Sequence, residues 1–283
     1  MSKVLVWTLL LLGVVSLKAQ DYEPGDSLHF PVDKGLPPKV LHAEPLYIDL
    51  IRDLGARKGE KEWNVGLAMV DQVRFDRYEA LVEYEWAPID RLGLEIEVPL
   101  TFYAPVTARL DSIKPSNRVE SLKTAAQWSF FVSPRYRTTL ALGYINELEF
   151  TDLDQIGSSP FLSGNMFNPF FIIAKRLTSN WHSLIYTGPQ STLHFGDGHW
   201  THRYEMHTNI HYMIPETRNF VGVEVNKYFS KTGNEVTVRP QMRVSINDNL
   251  LVGIVAGIPI SQRDEGLSTF VRLIYEPPHK KKH

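Results

Sequence analysis

RYEALVEYEWAPIDRLGLEIEVPL, residues 77–100, alternates residue by residue on both sides of a short turn. Before the turn, Tyr78, Ala80, Val82, Tyr84 and Trp86 fall on one side, and Arg77, Glu79, Glu83 and Glu85 on the other. After Pro88-Ile89-Asp90, Leu92, Leu94, Ile96, Val98 and Leu100 share one face, with Glu95 and Glu97 opposite. Successive side chains of a strand point to opposite faces, so a period of two marks strands, and the tight connection makes these two a hairpin.

The pattern recurs along the chain. In EWNVGLAMV, Trp63, Val65, Leu67 and Met69 share one side. About twelve segments qualify: roughly 63–72, 76–87, 91–103, 122–132, 136–147, 165–175, 181–188, 200–213, 219–229, 235–246, 249–260 and 267–276. Tight links (88–90, 133–135, 177–180, 214–218, 247–248) alternate with connections that include the long stretches 104–121, 148–164 and 189–199. Short turns at one end and longer loops at the other are the layout of an antiparallel transmembrane β-barrel.

A soluble sandwich or lipocalin-like barrel also alternates, but turns its apolar face inward. Here the apolar face carries large aromatics near strand ends: Trp63, Tyr84, Trp86, Tyr103, Trp128, Tyr144, Trp181, Tyr212 and Tyr275. Those suit the interfacial girdles of a membrane barrel. The other face carries charges that a dry core cannot take and a wet lumen can. The expectation is therefore an all-β membrane barrel over residues 62–276, with an even strand number that puts both termini on the periplasmic side.

The remaining segments are assigned by composition. MSKVLVWTLLLLGVVSLKAQ has a lysine, the apolar run Val4 to Val15 and Ala19 at a cleavage position, so residues 1–19 read as a secretory signal peptide. Its removal takes Lys3 and Lys18 away and leaves 28 basic against 32 acidic side chains. That near balance does not resemble a nucleic-acid binder. The chain has no cysteine, which excludes disulfides and thiolate metal sites. Residues 20–61 are Pro-rich and then amphipathic. Pro45 suits a first helical turn, Tyr47, Leu50, Ile51 and Leu54 form a stripe, and Gly55 is a stop. They read either as a plug in the lumen or as a periplasmic leader with a short helix at the rim. Residues 277–283, beyond Tyr275, read as a periplasmic tail.

The run Ala87 to Leu100, and the later LLVGIVAGIPI from Leu250 to Ile260, resemble the outer-membrane channels of the meta-pathway of phenol degradation. Those are similar in outline to the long-chain fatty-acid and aromatic-hydrocarbon channels. The resemblance implies passive uptake of small, hydrophobic or aromatic solutes, and it carries over no functional residue. Hydrophobic uptake implies a lateral gap in the wall, for which Pro99, Pro169, Pro189 and Pro240 are candidates, because proline cannot donate to a strand ladder.

The candidate lumen set follows from the charged face: Glu79, Glu83, Glu85, Glu95, Glu97, Arg203, Glu205, His207, His211, Glu224, Arg239, Arg243 and Arg272. Such groups set which solutes pass, or pair with one another and hold the barrel closed. HWTHRYEMHTNIHYM, residues 199–213, adds a histidine cluster. On a strand His207 and His211 lie about 13 Å apart. They cannot share an ion that each imidazole holds at about 2 Å. His194, Asp197 and His199, with His202 beside them, fall in or near an outer loop and are weak candidates for a metal. No cofactor is expected. The partners expected are outer-membrane lipid, a small-molecule solute and the barrel-assembly machinery, and no nucleic acid. Some twelve-stranded barrels are lipid hydrolases with Ser and His on the outer wall. Here His182 and Ser183 point to opposite faces, and no serine-bearing motif is present, so a non-enzymatic channel is expected. A closed structural or adhesive barrel and a lipid-modifying enzyme are the competing readings.

Overall fold

The computed structural model of the protein describes residues 36–48, 54–72, 75–105, 115–261 and 265–278. The expected signal peptide, most of the tail and residues 49–53 of the expected helix lie outside the described residues.

Strand follows strand: β1 (Lys61–Gln72), β2 (Phe75–Ile89), β3 (Leu92–Pro105), β4 (Arg118–Val119), β5 (Ser121–Ser133), β6 (Thr138–Phe150), β7 (Leu162–Arg176), β8 (Trp181–His194), β9 (Trp200–Met213), β10 (Phe220–Ser230), β11 (Gly233–Asn247), β12 (Leu250–Pro259) and β13 (Glu265–Tyr275). Each long strand pairs antiparallel with its sequence neighbour, and β1 pairs with β13, setting Trp63 opposite Tyr275. The sheet is therefore a closed twelve-stranded barrel, with no free edge. The two-residue β4 pairs with β3 at Leu100 and Thr101. A single turn of 3₁₀-helix, Leu153–Gln155, sits in the loop between β6 and β7.

Alternation decides which side chains meet the outside. Outward-pointing Leu67, Trp128, Val82, Ile210 and Leu273 are all more than 40% exposed. Inward-pointing Asn64, Glu83, His211 and Glu224 are at most 2% exposed. An apolar outer wall around a polar interior is the inverse of a soluble barrel, and it suits a bilayer. Aromatics gather on this outer wall at the end where β1 begins and β13 finishes, the terminal end: Trp63 packs on Tyr84 (ring centroids 4.5 Å apart), Tyr84 stacks on Trp86 (5.5 Å), and Trp181 meets Tyr212 edge-on (5.2 Å).

The connections at this terminal end are short, and the two longest of the barrel, 106–117 and 151–161, lie at the other, the loop end. Strand β8 runs to His194, past the expected end at residue 188. Pro189 stays in the strand because its partner on β9, Tyr204, keeps the ladder going. On its other side the β7–β8 ladder is interrupted between the pairs Phe171↔Thr187 and Phe167↔Ser191. The strands do not part there: Asn168 Nδ2 donates to Pro189 O at 3.1 Å.

The segment before β1 enters the barrel as a strap. Its outbound leg, 36–48, carries buried Val40, Ala43, Leu46 and Ile48, and its return leg carries buried Leu54 and Ala56. Residues 46–48, where the expected helix would be under way, form a bend without helical turns. The physical reason is in the contacts. Main-chain groups that a helix would satisfy internally are satisfied here by barrel side chains.

Candidate functional site

The interior is best built from the strap outward. Ala43 N–H donates to His182 Nδ1 at 2.7 Å, and its carbonyl accepts from His211 Nδ1 at 3.0 Å. His182 and His211 are register partners across β8 and β9, so two strands hold both backbone groups of one strap residue. Beside them His42 Nε2 and Thr139 Oγ1 share a hydrogen bond of 3.0 Å. Further along, Leu46 N–H donates to Gln241 Oε1 at 2.8 Å, and Gly55 N–H to Ser129 Oγ at 2.9 Å. Glu44 Oε1 caps Leu54 N–H at 2.7 Å and draws the two legs together.

Apolar contacts seat the same segment. Leu46 lies among Phe220, Leu251, Val255, Phe270 and Ile274, while Ile48 and Leu54 join Ala125, Ala141, Ile145, Phe170 and Ile172 on the other wall. Leu46 fits because β12 has a glycine beneath it: a Cβ on Gly253 would meet Leu46 Cδ2 at 2.7 Å. The Tyr47 ring lies 3.4 Å below the Arg239 guanidinium and edge-on to Phe270.

Above the strap, toward the loop end, the interior opens into a cavity of about 240 Å³. Tyr47 and Ile48 form part of its lining, and the barrel wall contributes Glu79, Glu97, Lys123, Arg203, Glu205, His207 and Arg272. Tyr186, Tyr228 and Phe270 add aromatic surface. Below the strap, a cavity of about 30 Å³ remains beside Glu44, Pro45, Glu62, Glu85 and Arg243.

The sequence-derived lumen residues divide between these levels. Glu205 is the hub above the strap, accepting from Asn168 Nδ2 (2.8 Å), Gln190 Nε2 (3.0 Å) and His207 Nε2 (2.9 Å). Arg203 donates to Gln190 and lies 4.5 Å over the Tyr228 ring. Glu97 pairs with Lys123 Nζ at 2.7 Å, and Glu79 with Arg77 at 2.8 Å. Arg272 Nη2 donates to Glu83 Oε2 at 3.4 Å. Arg239 donates to Asn226 Oδ1 at 2.7 Å, and Glu224 accepts from Gln241 Nε2 at 3.0 Å. Arg243 donates to the Arg218 carbonyl at 3.2 Å and lies over Phe220.

The carboxylates of β2 and β3 face each other in register, Glu83 opposite Glu97 and Glu85 opposite Glu95. Asn64 Nδ2 bridges Glu62, Glu83 and Glu85. Glu83, Glu85 and Glu95 bring oxygens within 4.8 Å of one another, the only such trio of His, Asp or Glu among the described residues. His194, Asp197 and His199 do not converge in this way. The His194 and His199 rings stack 6.3 Å apart, His194 Nε2 meets Thr201 Oγ1, and Asp197 accepts from the His199 backbone.

Charge-based reading missed the neutral members of this interior. Asn64, Asn168, Gln190, Asn226 and Gln241 connect the charged groups, and Lys123 neutralises Glu97. The alternation held only part of the signal: Asn64 lies on the face opposite Trp63, whereas Asn168, Gln190 and Asn226 share their inward face with the buried aromatics Phe170, Tyr186 and Phe220. Ser191 and His202 were missed for another reason. They meet across two strands, Ser191 Oγ to His202 Nδ1 at 2.9 Å, on the outward face.

The chain matches the family model described as HAEPLYID-like over residues 38–276, and the eight letters of that description are residues 42–49 of the strap. No curated protein matches the chain in sequence. Among solved structures, the COG4313 outer-membrane channel from Pseudomonas putida F1 is similar at 10% identity, covering 81% of this chain and 99% of that one, with a TM-score of 0.58. The NanC porin is similar at 8% identity, over 76% and 100% of the two chains, with a TM-score of 0.54. The KdgM porin is similar at 13% identity, over 78% and 99%, with a TM-score of 0.50. The shared feature is the fold of an outer-membrane porin or channel barrel.

Proposed function

We propose that this chain, which belongs to the HAEPLYID-like family, is an outer-membrane channel for passive passage of small solutes. The observation that carries the reading is the lined cavity above the strap: a closed barrel with an apolar exterior encloses about 240 Å³ walled by charged and aromatic side chains. Both termini, and with them the strap, face the periplasm, and the long loops face outward. Membrane lipid surrounds the wall, and assembly machinery inserts it.

The solute is small and aromatic rather than a pure hydrocarbon. Tyr47, Tyr186, Tyr228 and Phe270 offer ring faces, but Glu97, Lys123, Arg203, Glu205 and Arg272 line the same space, and burying them against hydrocarbon would desolvate them without return. A planar solute with polar substituents satisfies both kinds of lining. Liposome swelling by purified protein, with and without residues 20–60, is the test. Swelling that depends on solute size supports a channel, and an inert barrel in both forms supports the closed structural reading.

One observation favours a second reading, a lipid hydrolase. Ser191 and His202 pair on the outer wall, where lipid lies. Among the described residues no carboxylate or amide orients His202, and the neighbouring backbone N–H groups are committed to strand pairing, so an oxyanion donor is missing. Phospholipase activity of refolded protein that disappears in Ser191→Ala would promote this reading over the channel.

A further inference from the structure

The contacts of Ala43 fix the protonation of two buried histidines. Its N–H can only donate, so His182 Nδ1 presents a lone pair. Its carbonyl can only accept, so His211 Nδ1 carries a proton. Both rings are therefore neutral while the strap is docked. His211 Nε2 has no hydrogen-bond partner, in a residue that is 0% exposed. The ring is held against Gly222, where a Cβ would meet His211 Cδ2 at 2.1 Å, and against Phe220 at 4.6 Å.

Neither ring has room for a second proton. A proton on His182 Nδ1 occupies the lone pair that Ala43 needs. A proton on His211 Nε2 is a buried charge with no acceptor. The groups facing them add no compensation. From the strap comes His42, whose ring centroid is 6.4 Å from that of His182. The charged groups acting on His182 are Arg176 from β7 and Arg243 from β11, and those acting on His211 are Arg243 and His182 itself, all cationic or neutral. Undocking of the strap opens both rings to water, where imidazolium is readily hydrated.

We propose that the His182–His211 pair is a main-chain latch that holds the strap in the lumen when neutral and releases it on protonation, making the strap legs 42–48 and 54–55 an acid-opened gate. The proposal rests on the channel reading and adds to it what opens the channel. The sign follows from proton counting. The docked state binds fewer protons than the undocked state, so docking is strongest above the ordinary histidine value of about 6.5 and weakens as the pH falls below it. Each proton taken up multiplies the undocked-to-docked ratio about tenfold per pH unit, and two protons about a hundredfold.

The experiment is planar-bilayer conductance from pH 7.5 to 5.5 on four forms of the full chain. The wild type is expected to be mostly closed at the upper end and to open steeply toward the lower. His182→Asn/His211→Asn keeps an acceptor and a donor for Ala43 but removes both titrations, and stays closed throughout. The form lacking residues 36–55 is open at both ends of the range. In Leu46→Cys/Gly253→Cys, otherwise cysteine-free, a Cβ on residue 253 lies 3.2 Å from the Leu46 Cγ position, close to what a disulfide needs. Oxidised, it is expected to stay shut at pH 5.5 with both histidines intact, and reduction restores opening. A flat wild-type profile, a double-asparagine variant that opens like the wild type, or an oxidised lock that still opens overturns the latch while leaving the channel standing. Silence of the strap-deleted form at every pH overturns the channel reading and the latch with it. If the double-asparagine variant does not fold, the disulfide lock decides alone.

Discussion

His207 and His211 stand four residues apart on the same face of β9, yet the strap lies between their surroundings. His207 looks into the open cavity and donates to Glu205, which also ties in Asn168 and Gln190. His211 looks onto the strap and is spent on one peptide group, with Phe220 against its ring. Above the strap, barrel side chains bond to barrel side chains and leave space. At the strap itself they bond to a guest backbone, and beneath it little space remains. One alternating strand thus builds a wall for solute and a socket for peptide. The occupant decides the difference, not the strand.

The largest break in that contrast comes from removing the guest. Deletion of residues 36–55 should raise conductance at neutral pH from the closed level to that of an open twelve-stranded lumen, with the upper cavity network unchanged. Because the strap buries Leu46, Ile48 and Leu54, the deleted barrel also loses about 1.5–3 kcal/mol for each of them. Urea unfolding from lipid bilayers reads that loss. Unchanged conductance together with unchanged stability would mean that the strap does not occupy the lumen in the membrane.

Glu205→Leu attacks the upper level instead. It strands Gln190 Nε2 and His207 Nε2 without their acceptor and leaves Asn168 Nδ2 only the Pro189 carbonyl, at about 1–3 kcal/mol for each group that water cannot reach. Stability should fall by about 3 kcal/mol while the strap stays docked. Gly253→Val is the complementary change below. It puts a side chain where Leu46 sits, costs about 1–3 kcal/mol in overpacking, and should loosen the strap without touching the Glu205 hub. If Glu205→Leu loosens the strap as much as Gly253→Val does, the two levels are one cooperative unit.

How far each level could be read from the sequence differs for the same reason. The barrel was legible because lipid and lumen impose opposite demands on neighbouring residues, as Tyr84 and Glu85 show. Strand number and the inward charges of β2 and β3 followed. Strand ends do not always follow: the alternation predicts an end near residue 188 and a break in pairing at Pro189, whereas a strand can keep one paired side through a proline. The strap was half legible. Its apolar stripe, Tyr47, Leu50, Ile51 and Leu54, fits a helix at 3.6 residues per turn, but what fixes Ala43 and Leu46 is backbone bonding to His182, His211 and Gln241, some 139 to 195 residues away in sequence. No local pattern encodes such partners. The histidines drew attention by number. Their roles came from register, which set His182 beside His211.

The smallest effect concerns the charge of the upper cavity. Its lining holds four carboxylates, Glu79, Glu97, Glu147 and Glu205, against three fixed cations, Lys123, Arg203 and Arg272. A single excess negative charge gives a weak preference for cations, and most of these groups are already paired, which shortens the reach of the field. Lys123→Gln removes the cation 2.7 Å from Glu97 and doubles that excess, so the reversal potential in a salt gradient should move toward cation selectivity, more at low ionic strength than at high, since screening sets in over about 10 Å at 0.1 M. The companion change Arg243→Gln lies beside the small cavity below the strap and should leave the reversal potential of the strap-docked state where it was. Equal shifts from the two variants would show that solute ions sample both levels, and the strap would then divide the barrel in packing but not in permeation.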